Sequence, residues 1–275
     1  RAVCAEKAVA AEQAGAAVVE GVAGWLYLPA ELRHAGVGRF WGEDAAKVSR
    51  AENPAKADPL PIILDFHRQL AGAGIELIFV PVPPKAVVYP NGLGLAVAGR
   101  ADEYHQAFYA ELRGAGVPVL DLTDEFLSMA AEGSQPYCRQ DTHWSGEACV
   151  AAAQKIAGEI AARPWRPDLP KKTWTSETAE VEISGDLWQM LGQPERAKER
   201  LLLRFVRNET GDPPEDDRSS PILLLGDSHN LIFHAGGDMQ AVGAGLADQL
   251  ALELGTSIDV LGVRGNNQGV SLVTF

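Results

Sequence analysis

The stretch "PILLLGDSHN" spans residues 221–230 and places four consecutive apolar residues directly before Gly226, Asp227 and Ser228. A short apolar run stopped by glycine predicts a buried strand that leads into a tight turn. Ser228 would then lie at the strand end, where a sharp turn can expose its hydroxyl and aim its own backbone N–H at a substrate oxygen. A serine that caps a helix fits these three residues equally well, so the stretch alone leaves the role of Ser228 open.

Before and after this stretch, segments of helical composition alternate with short apolar segments. Helices are predicted at 5–20, 59–74, 101–113, 146–162 and 244–255, and further strands at 75–85, 116–122 and 257–265. Such alternation is typical of a parallel sheet that helices cover on both faces, with ligands bound beyond the carboxyl ends of the strands. The sequence therefore predicts an α/β fold with a mostly parallel central sheet flanked by helices.

Residues 164–220 interrupt this alternation. They contain Trp165, Trp174 and Trp188, the β-leaning "LLLRFV", and the acidic, proline-containing "NETGDPPEDDRSS". This composition indicates an insertion that ends in an exposed loop. The 275 residues have the length of one large domain or two small ones. We predict a single catalytic domain over residues 1–275, with the insertion at about 164–220.

The charge composition limits the class of partner. The chain has 37 Asp plus Glu against 24 Lys plus Arg, which gives a formal net charge of -13. This charge opposes nucleic acid as a partner, because binding to a phosphate backbone depends on neutralising cations. The hydrophobic content of 46% supports a sizeable core. No run reaches the roughly 18 uninterrupted apolar residues of a membrane-spanning helix, so the chain is predicted to be globular.

The three cysteines, Cys4, Cys138 and Cys149, have no metal-binding spacing. Cys138 and Cys149 flank the polar motif of residues 140–146, so a disulfide from one of them to Cys4 would fix the N-terminal segment beside that motif. Buried free thiols are the alternative, and the residues do not decide between the two.

The polar motif "QDTHWSG", residues 140–146, lies between the predicted strand 116–122 and the predicted helix 146–162. A serine hydroxyl is a weak nucleophile at neutral pH and needs a base, usually a histidine oriented by a carboxylate. Asp141 and His143 supply both groups. Asp141 can accept from one ring nitrogen of His143 while the other nitrogen faces Ser228, an arrangement that requires no metal and no cofactor.

Two other interpretations of the Asp141 and His143 pair stay open on the residues alone. A metal site is one, with Asp227 and His229 as further ligands. A structural pair at a helix start is the other, although Ser145 and Glu147 already suit a helix N-terminus.

Together, "GDSHN" and "DTHWS" resemble the motifs of the SGNH, or GDSL-type, hydrolase superfamily. In ordinary members the GDS block precedes the Asp and His block, whereas here it follows by more than eighty residues. This order is similar to a circularly permuted branch, the periplasmic alginate O-acetyltransferase family. The segments "AGWLYL" at 23–28 and "VPVPPKAVVYP" at 80–90 also resemble N-terminal segments of that family. The resemblance implies an SGNH-hydrolase-like fold with permuted motif order.

The resemblance also implies a role for each motif residue. Ser228 would be the nucleophile, His143 the general base and then the general acid, and Asp141 the carboxylate that orients His143. Superfamily members complete the oxyanion hole with a glycine and an asparagine, and "VRGNNQG" at 263–269 offers candidates for both. The oxyanion hole is therefore expected to draw on Ser228, Gly265, Asn266 and Asn267.

Three further residues are candidates for substrate binding. Lys85 and Tyr89 follow the predicted strand 75–85 and would lie on the catalytic edge of the sheet. Trp144 stands beside His143 and would either form a wall on which a sugar stacks or anchor the loop as a buried aromatic.

The implied activity is that of a polysaccharide O-acetyltransferase that forms an acetyl-serine intermediate and modifies an exopolysaccharide or cell-surface glycan. A carbohydrate acetylesterase with the same triad is an alternative, because the triad does not determine whether a sugar hydroxyl or water receives the acetyl group. A non-catalytic polysaccharide-binding module is a second alternative. The resemblance further implies a periplasmic or extracytoplasmic location, membrane association through a segment before Arg1, and acetyl groups relayed by a membrane-bound O-acyltransferase.

Overall fold

The computed structural model describes residues 1–96 and 100–264. The helices described are α1 (Ala2–Gln13), α2 (Pro29–Gly36), α3 (Ala45–Val48), α4 (Pro59–Gly72), α5 (Lys85–Val88), α6 (Glu103–Gly114), α7 (Thr123–Ala131), α8 (Gly146–Ala161), α9 (Asp186–Leu191) and α10 (Leu246–Leu254). The strands described are β1 (Val19–Glu20), β2 (Leu26–Tyr27), β3 (Thr175–Ile183), β4 (Glu199–Arg207), β5 (Leu223–Gly226) and β6 (Asp259–Gly262). Backbone proximity divides the chain into two compact units, Arg1–Ser128 and Met129–Phe275. The single catalytic domain stays a prediction.

The longer predicted helices agree with the structure. Segments 59–74, 101–113, 146–162 and 244–255 form α4, α6, α8 and α10. The first helix ends earlier than expected, at Gln13, shortly before Gly15 adopts a φ of 63°. A positive φ cannot continue a right-handed helix. No helix within the described ranges is both long and apolar enough to cross a membrane.

In the first unit, helices pack around an aromatic core. Its buried members are Trp41, Phe108, Tyr109, Leu112 and Val117. The predicted strands 75–85 and 116–122 meet in one parallel bridge, between Phe79 and Val119. The prolines of "VPVPPK" and "GVPVL" have no N–H to donate, so they prevent a longer ladder.

In the second unit, α8 packs against α10 and β4. Strands β5 and β6 pair in parallel, with Leu223 opposite Asp259 and Gly226 opposite Gly262. The predicted insertion contains the antiparallel hairpin of β3 and β4, followed by the loop 208–220. Arg204 on β4 ties this hairpin to α10 through Glu253 at 2.7 Å and Gln249 at 2.6 Å.

The α/β class is therefore confirmed, but the extent of the sheet differs from the prediction. Within the described ranges, the strands form three separate two-stranded sheets, and the pair of β5 and β6 is the parallel one. The predicted continuous, mostly parallel sheet is not assembled from these strands.

The cysteines are free thiols, so of the two alternatives, a disulfide and buried free thiols, the second agrees with the structure. Cys4, Cys138 and Cys149 are all buried and form no disulfide. Burial raises the pKa of the Cys149 thiol. A thiol in such surroundings is chemically inert, so the cysteines contribute to packing.

Candidate active site

The turn after β5 presents Ser228. Asp227 caps the short turn Ser228–Asn230, because its carboxylate accepts from the backbone N–H of His229 at 2.9 Å. A Cβ at Gly226 would lie 2.3 Å from the Asn230 side chain, so the tight turn requires glycine. Since Asp227 supplies the cap, the capping role considered for Ser228 is filled by its neighbour.

The loop before α8 brings Asp141 and His143 to the Ser228 hydroxyl. His143 Nε2 lies 2.8 Å from Ser228 Oγ, and His143 Nδ1 lies 2.5 Å from Asp141 Oδ1. Asp141 is an acceptor, so Nδ1 carries the proton and Nε2 is left to accept from the serine hydroxyl. Both Asp141 and His143 are buried. The three residues have the geometry with which a histidine activates a serine.

The electrostatics of the site favour a more basic histidine. Burial alone would lower the pKa of His143, but the hydrogen bond and charge of Asp141, with the charges of Asp186 and Asp227, raise it above its usual 6.5. Burial would likewise raise the pKa of Asp141, yet the hydrogen bond and charge of His143 lower it. The structure thus stabilises an imidazolium next to a carboxylate, which is the charge state that proton transfer from serine produces.

Two carboxylates of the predicted insertion hold the loop that carries Asp141 and His143. Asp186, the first residue of α9, accepts from Thr142 N at 2.8 Å and Thr142 Oγ1 at 2.5 Å. The Asp186 N–H donates to Asp141 Oδ2 at 3.0 Å. Glu199 on β4 accepts from the N–H groups of Arg139 at 2.9 Å and Gln140 at 3.0 Å. Sequence reasoning missed both residues, because their partners lie more than forty residues away.

Gly185, in the predicted insertion, lies directly against this loop. A Cβ at Gly185 would lie 2.2 Å from Gln140 O and 3.0 Å from Asp141 Cβ. We expect Gly185→Ala to lower the free energy of unfolding by about 1–3 kcal/mol, the usual cost of overpacking. Urea denaturation measures this. Gly158→Ala on α8, where a Cβ meets nothing within 4 Å, is the control and should not destabilise.

Among the described residues, the cluster that could hold a cation joins Asp141 and His143 to Asp186 and not to the expected Asp227 and His229. Asp141, His143 and Asp186 each place a ligand atom within 4.8 Å of the others. The Nδ1 of His143 is engaged by Asp141, and both Asp186 oxygens accept from Thr142. These atoms already have protein partners, so hydrogen bonding accounts for the cluster without a cation.

His229 and Trp144 connect the two halves of the site. Trp144 is 1% exposed, and its Nε1 donates to the carbonyl of His229 at 2.9 Å. The His229 ring contacts the His143 ring edge to face at 4.9 Å, and its Nδ1 lies 3.2 Å from Asp227. A buried indole cannot offer a face to a sugar. Of the two alternatives, Trp144 is therefore the buried aromatic that anchors the loop.

The other candidates for substrate binding have structural partners. Lys85 is fully buried, and its Nζ donates to Leu26 O at 2.7 Å and lies over the rings of Trp25 and Tyr27. Tyr89 is buried, and its ring packs on Trp25 with centroids 4.1 Å apart. Both side chains are thus part of the packing of the first unit rather than exposed to a substrate.

Residues Gly265, Asn266 and Asn267, expected in the oxyanion hole, lie outside the described residues.

The curated relatives that match this chain include proteins named as probable alginate O-acetylases. The chain is 27% identical over 226 residues to the probable alginate O-acetylase AlgJ of Pseudomonas aeruginosa, an alignment that covers 76% of this chain and 54% of that relative. The chain therefore spans about half the length of this relative.

Solved structures of the same group share the fold. The O-acetyltransferase domain of Pseudomonas putida AlgJ has a TM-score of 0.64 at 24% identity, and covers 90% of this chain and 80% of its own. Pseudomonas aeruginosa AlgX has a TM-score of 0.60 at 18% identity, over 90% of this chain and 54% of its own. The family model of the SGNH hydrolase-like domain of the acetyltransferase AlgX matches residues 18–275. With nearly the whole chain matched, the protein belongs to the family of SGNH hydrolase-like, AlgX-type acetyltransferase domains.

Proposed function

We propose that this chain is the catalytic domain of a polysaccharide O-acetyltransferase that works through an acetyl-serine intermediate. The single observation that carries the proposal is the 2.8 Å contact of Ser228 Oγ with His143 Nε2, continued to Asp141 through Nδ1. Membership of the AlgX family supports polysaccharide O-acetylation as the reaction class.

The reaction has two half-reactions at Ser228. In the first, Ser228 Oγ attacks the acetyl carbonyl of the donor while His143 Nε2 takes the hydroxyl proton. His143 then returns the proton to the leaving alcohol, and the acetyl group stays on Ser228 as an ester. In the second, His143 removes the proton of an acceptor hydroxyl, whose oxygen attacks the ester carbonyl; the acetylated acceptor leaves and His143 returns the proton to Ser228.

The negative oxygen of each tetrahedral intermediate needs hydrogen-bond donors. The Ser228 N–H is the donor we propose from the described part of the chain, with Gly265 and either Asn266 or Asn267 as partners. Removal of one such donor typically costs about 3–4 kcal/mol of transition-state stabilisation. The proposed acetyl transfer therefore depends on these donors for a fast reaction.

The acceptor and the donor of the acetyl group are inferred from the relatives. The matching AlgJ proteins are named as probable alginate O-acetylases, which favours an exopolysaccharide or cell-surface glycan as acceptor. We propose that the protein acts in the periplasm or elsewhere outside the cytoplasm, and that a membrane-bound O-acyltransferase relays the acetyl groups to it.

Incubation with p-nitrophenyl acetate and a panel of glycans tests the proposal, with mass spectrometry of both protein and glycan. We expect a gain of one acetyl group on Ser228, followed by acetylated oligosaccharide. Release of acetate from an acetylated polymer, without transfer, would identify an acetylesterase instead. Glycan binding without any acetylation of Ser228 would identify a binding module.

The raised pKa of His143 predicts the pH dependence of the first half-reaction. Only neutral His143 can accept the Ser228 proton, so activity is lost as the pH falls through the pKa of His143. We expect kcat/KM for p-nitrophenyl acetate to rise with pH through a midpoint above 6.5. A pH-rate profile checks this, and a midpoint at or below 6.5 would contradict it.

A further inference from the structure

We propose that Asp186 is a positioning residue of the triad, which locks the loop of Asp141 and His143 and holds a second negative charge beside His143. This inference rests on the proposed function and assigns a role to the predicted insertion, on which Asp186 lies. The described insertion contributes three kinds of contact to the loop.

The first contact is reciprocal. The carboxylate of Asp186 accepts from Thr142 N and Thr142 Oγ1, and the backbone N–H of Asp186 donates to Asp141 Oδ2. Thr142 lies between the two triad residues in the chain, so its backbone direction decides where both side chains point. Meanwhile Asp141 Oδ1 is used by His143. Asp186 therefore fixes the oxygen of Asp141 that His143 does not use.

The second and third contacts extend the same attachment along the loop. Trp188 N donates to Gln140 O at 3.0 Å, and Gly185 approaches that carbonyl too closely to carry a Cβ. Glu199 then accepts from Arg139 N and Gln140 N. Backbone groups of the loop thus bond to the insertion from residue 139 to residue 142, immediately before His143.

The titratable groups that face His143 come from three elements. Asp141 is on the same loop as His143, Asp186 is on α9, and Asp227 and His229 are on the turn after β5. The pKa of Asp186 is raised, first by burial and then by the charge of Asp141. Asp141 and Asp186 are held close together here, although an amide oxygen in place of Asp186 could also accept from Thr142. A carboxylate differs from an amide in its charge, and that charge stabilises the imidazolium of His143.

Asp186→Asn tests the inference, because asparagine keeps an acceptor for Thr142 but removes the charge. We expect kcat for p-nitrophenyl acetate to fall by about 10- to 100-fold, with the midpoint of the pH profile moved to lower pH. The matched control is Glu182→Gln, which removes a carboxylate from a half-exposed position of the same insertion and should match the wild type. Thr142→Val removes one bond to Asp186 and keeps its carboxyl group, so its kcat should fall with a smaller shift of the midpoint than in Asp186→Asn.

A titration of His143 by NMR separates this inference from the proposed function. If wild type never becomes acetylated on Ser228, the proposed function fails, but the His143 titration still decides the role of Asp186. A His143 midpoint that is the same in wild type and Asp186→Asn would overturn the inference, as would a lower melting temperature with unchanged kcat. If Asp186→Asn does not fold, Thr142→Val decides: a lower kcat supports positioning, and a wild-type kcat refutes it.

Discussion

Ser228→Ala is expected to lower the rate of acetyl transfer by about a million-fold, the scale of losing the nucleophile of a serine triad. Alanine leaves no oxygen to receive the acetyl group, and His143 would face only a methyl group. The fold should be retained, since the Ser228 hydroxyl is bonded to His143 and not to the backbone of its own turn. Single-turnover kinetics with p-nitrophenyl acetate and intact-mass spectrometry measure the loss.

The exposed Ser176→Ala on β3 is the control for this change and should leave the rate unaltered. An acetylated Ser228→Ala protein that still passes its acetyl group to glycan would show that another residue is the nucleophile. Slow hydrolysis without a covalent acetyl group would be compatible with residual catalysis from binding alone.

The second large effect is expected for Asp141→Asn, with a loss of about ten thousand-fold in kcat. The amide can donate to His143 Nδ1, which stabilises the wrong ring tautomer and places a proton on Nε2, where Ser228 must deliver one. The variant also lacks the charge that balances the imidazolium. Because Asp141 accepts from His143 N and Asp186 N as well, some loss of stability should accompany the loss of rate.

Asp124→Asn is the control for the loss of an aspartate charge, since its side chain is largely exposed and pairs with Arg100 on the surface. Thermal melts of both variants separate folding from catalysis. An Asp141→Asn protein that is folded and within tenfold of the wild-type kcat would contradict the role assigned to Asp141.

The positions of Ser228, Asp141 and His143 could be predicted because these residues lie next to a strand and a helix that the sequence pattern specifies. Four apolar residues before Gly226 specify the strand that ends at Ser228, and the Ala-rich segment 146–161 specifies the helix that follows Asp141 and His143. The structure brings these three residues into hydrogen-bond reach, while their catalytic roles remain a prediction. The α/β class could be predicted for the same reason.

Other features could not be predicted because they depend on contacts between distant residues. The segment 75–85 has the apolar content of a strand, but its prolines cannot donate to a ladder, and one bridge at Phe79 remains. The sequence allows Trp144 to face either substrate or core, and the bond from its indole N–H to His229 O, more than eighty residues away, decides for the core. Asp186 lies in the predicted insertion, and no local pattern relates it to Thr142.

The Trp144 bond to His229 has a consequence for chain continuity. This bond links the residue after His143 to the residue after Ser228, and the Arg204 contacts to Glu253 and Gln249 link β4 to α10. The partners in each of these contacts lie on opposite sides of loop 208–220 in the chain. A protease cut at the exposed Thr210 would place His143 and Ser228 on two polypeptides that these noncovalent contacts still connect. The position of the serine beside the histidine therefore depends on noncovalent contacts and not on an unbroken chain through this loop.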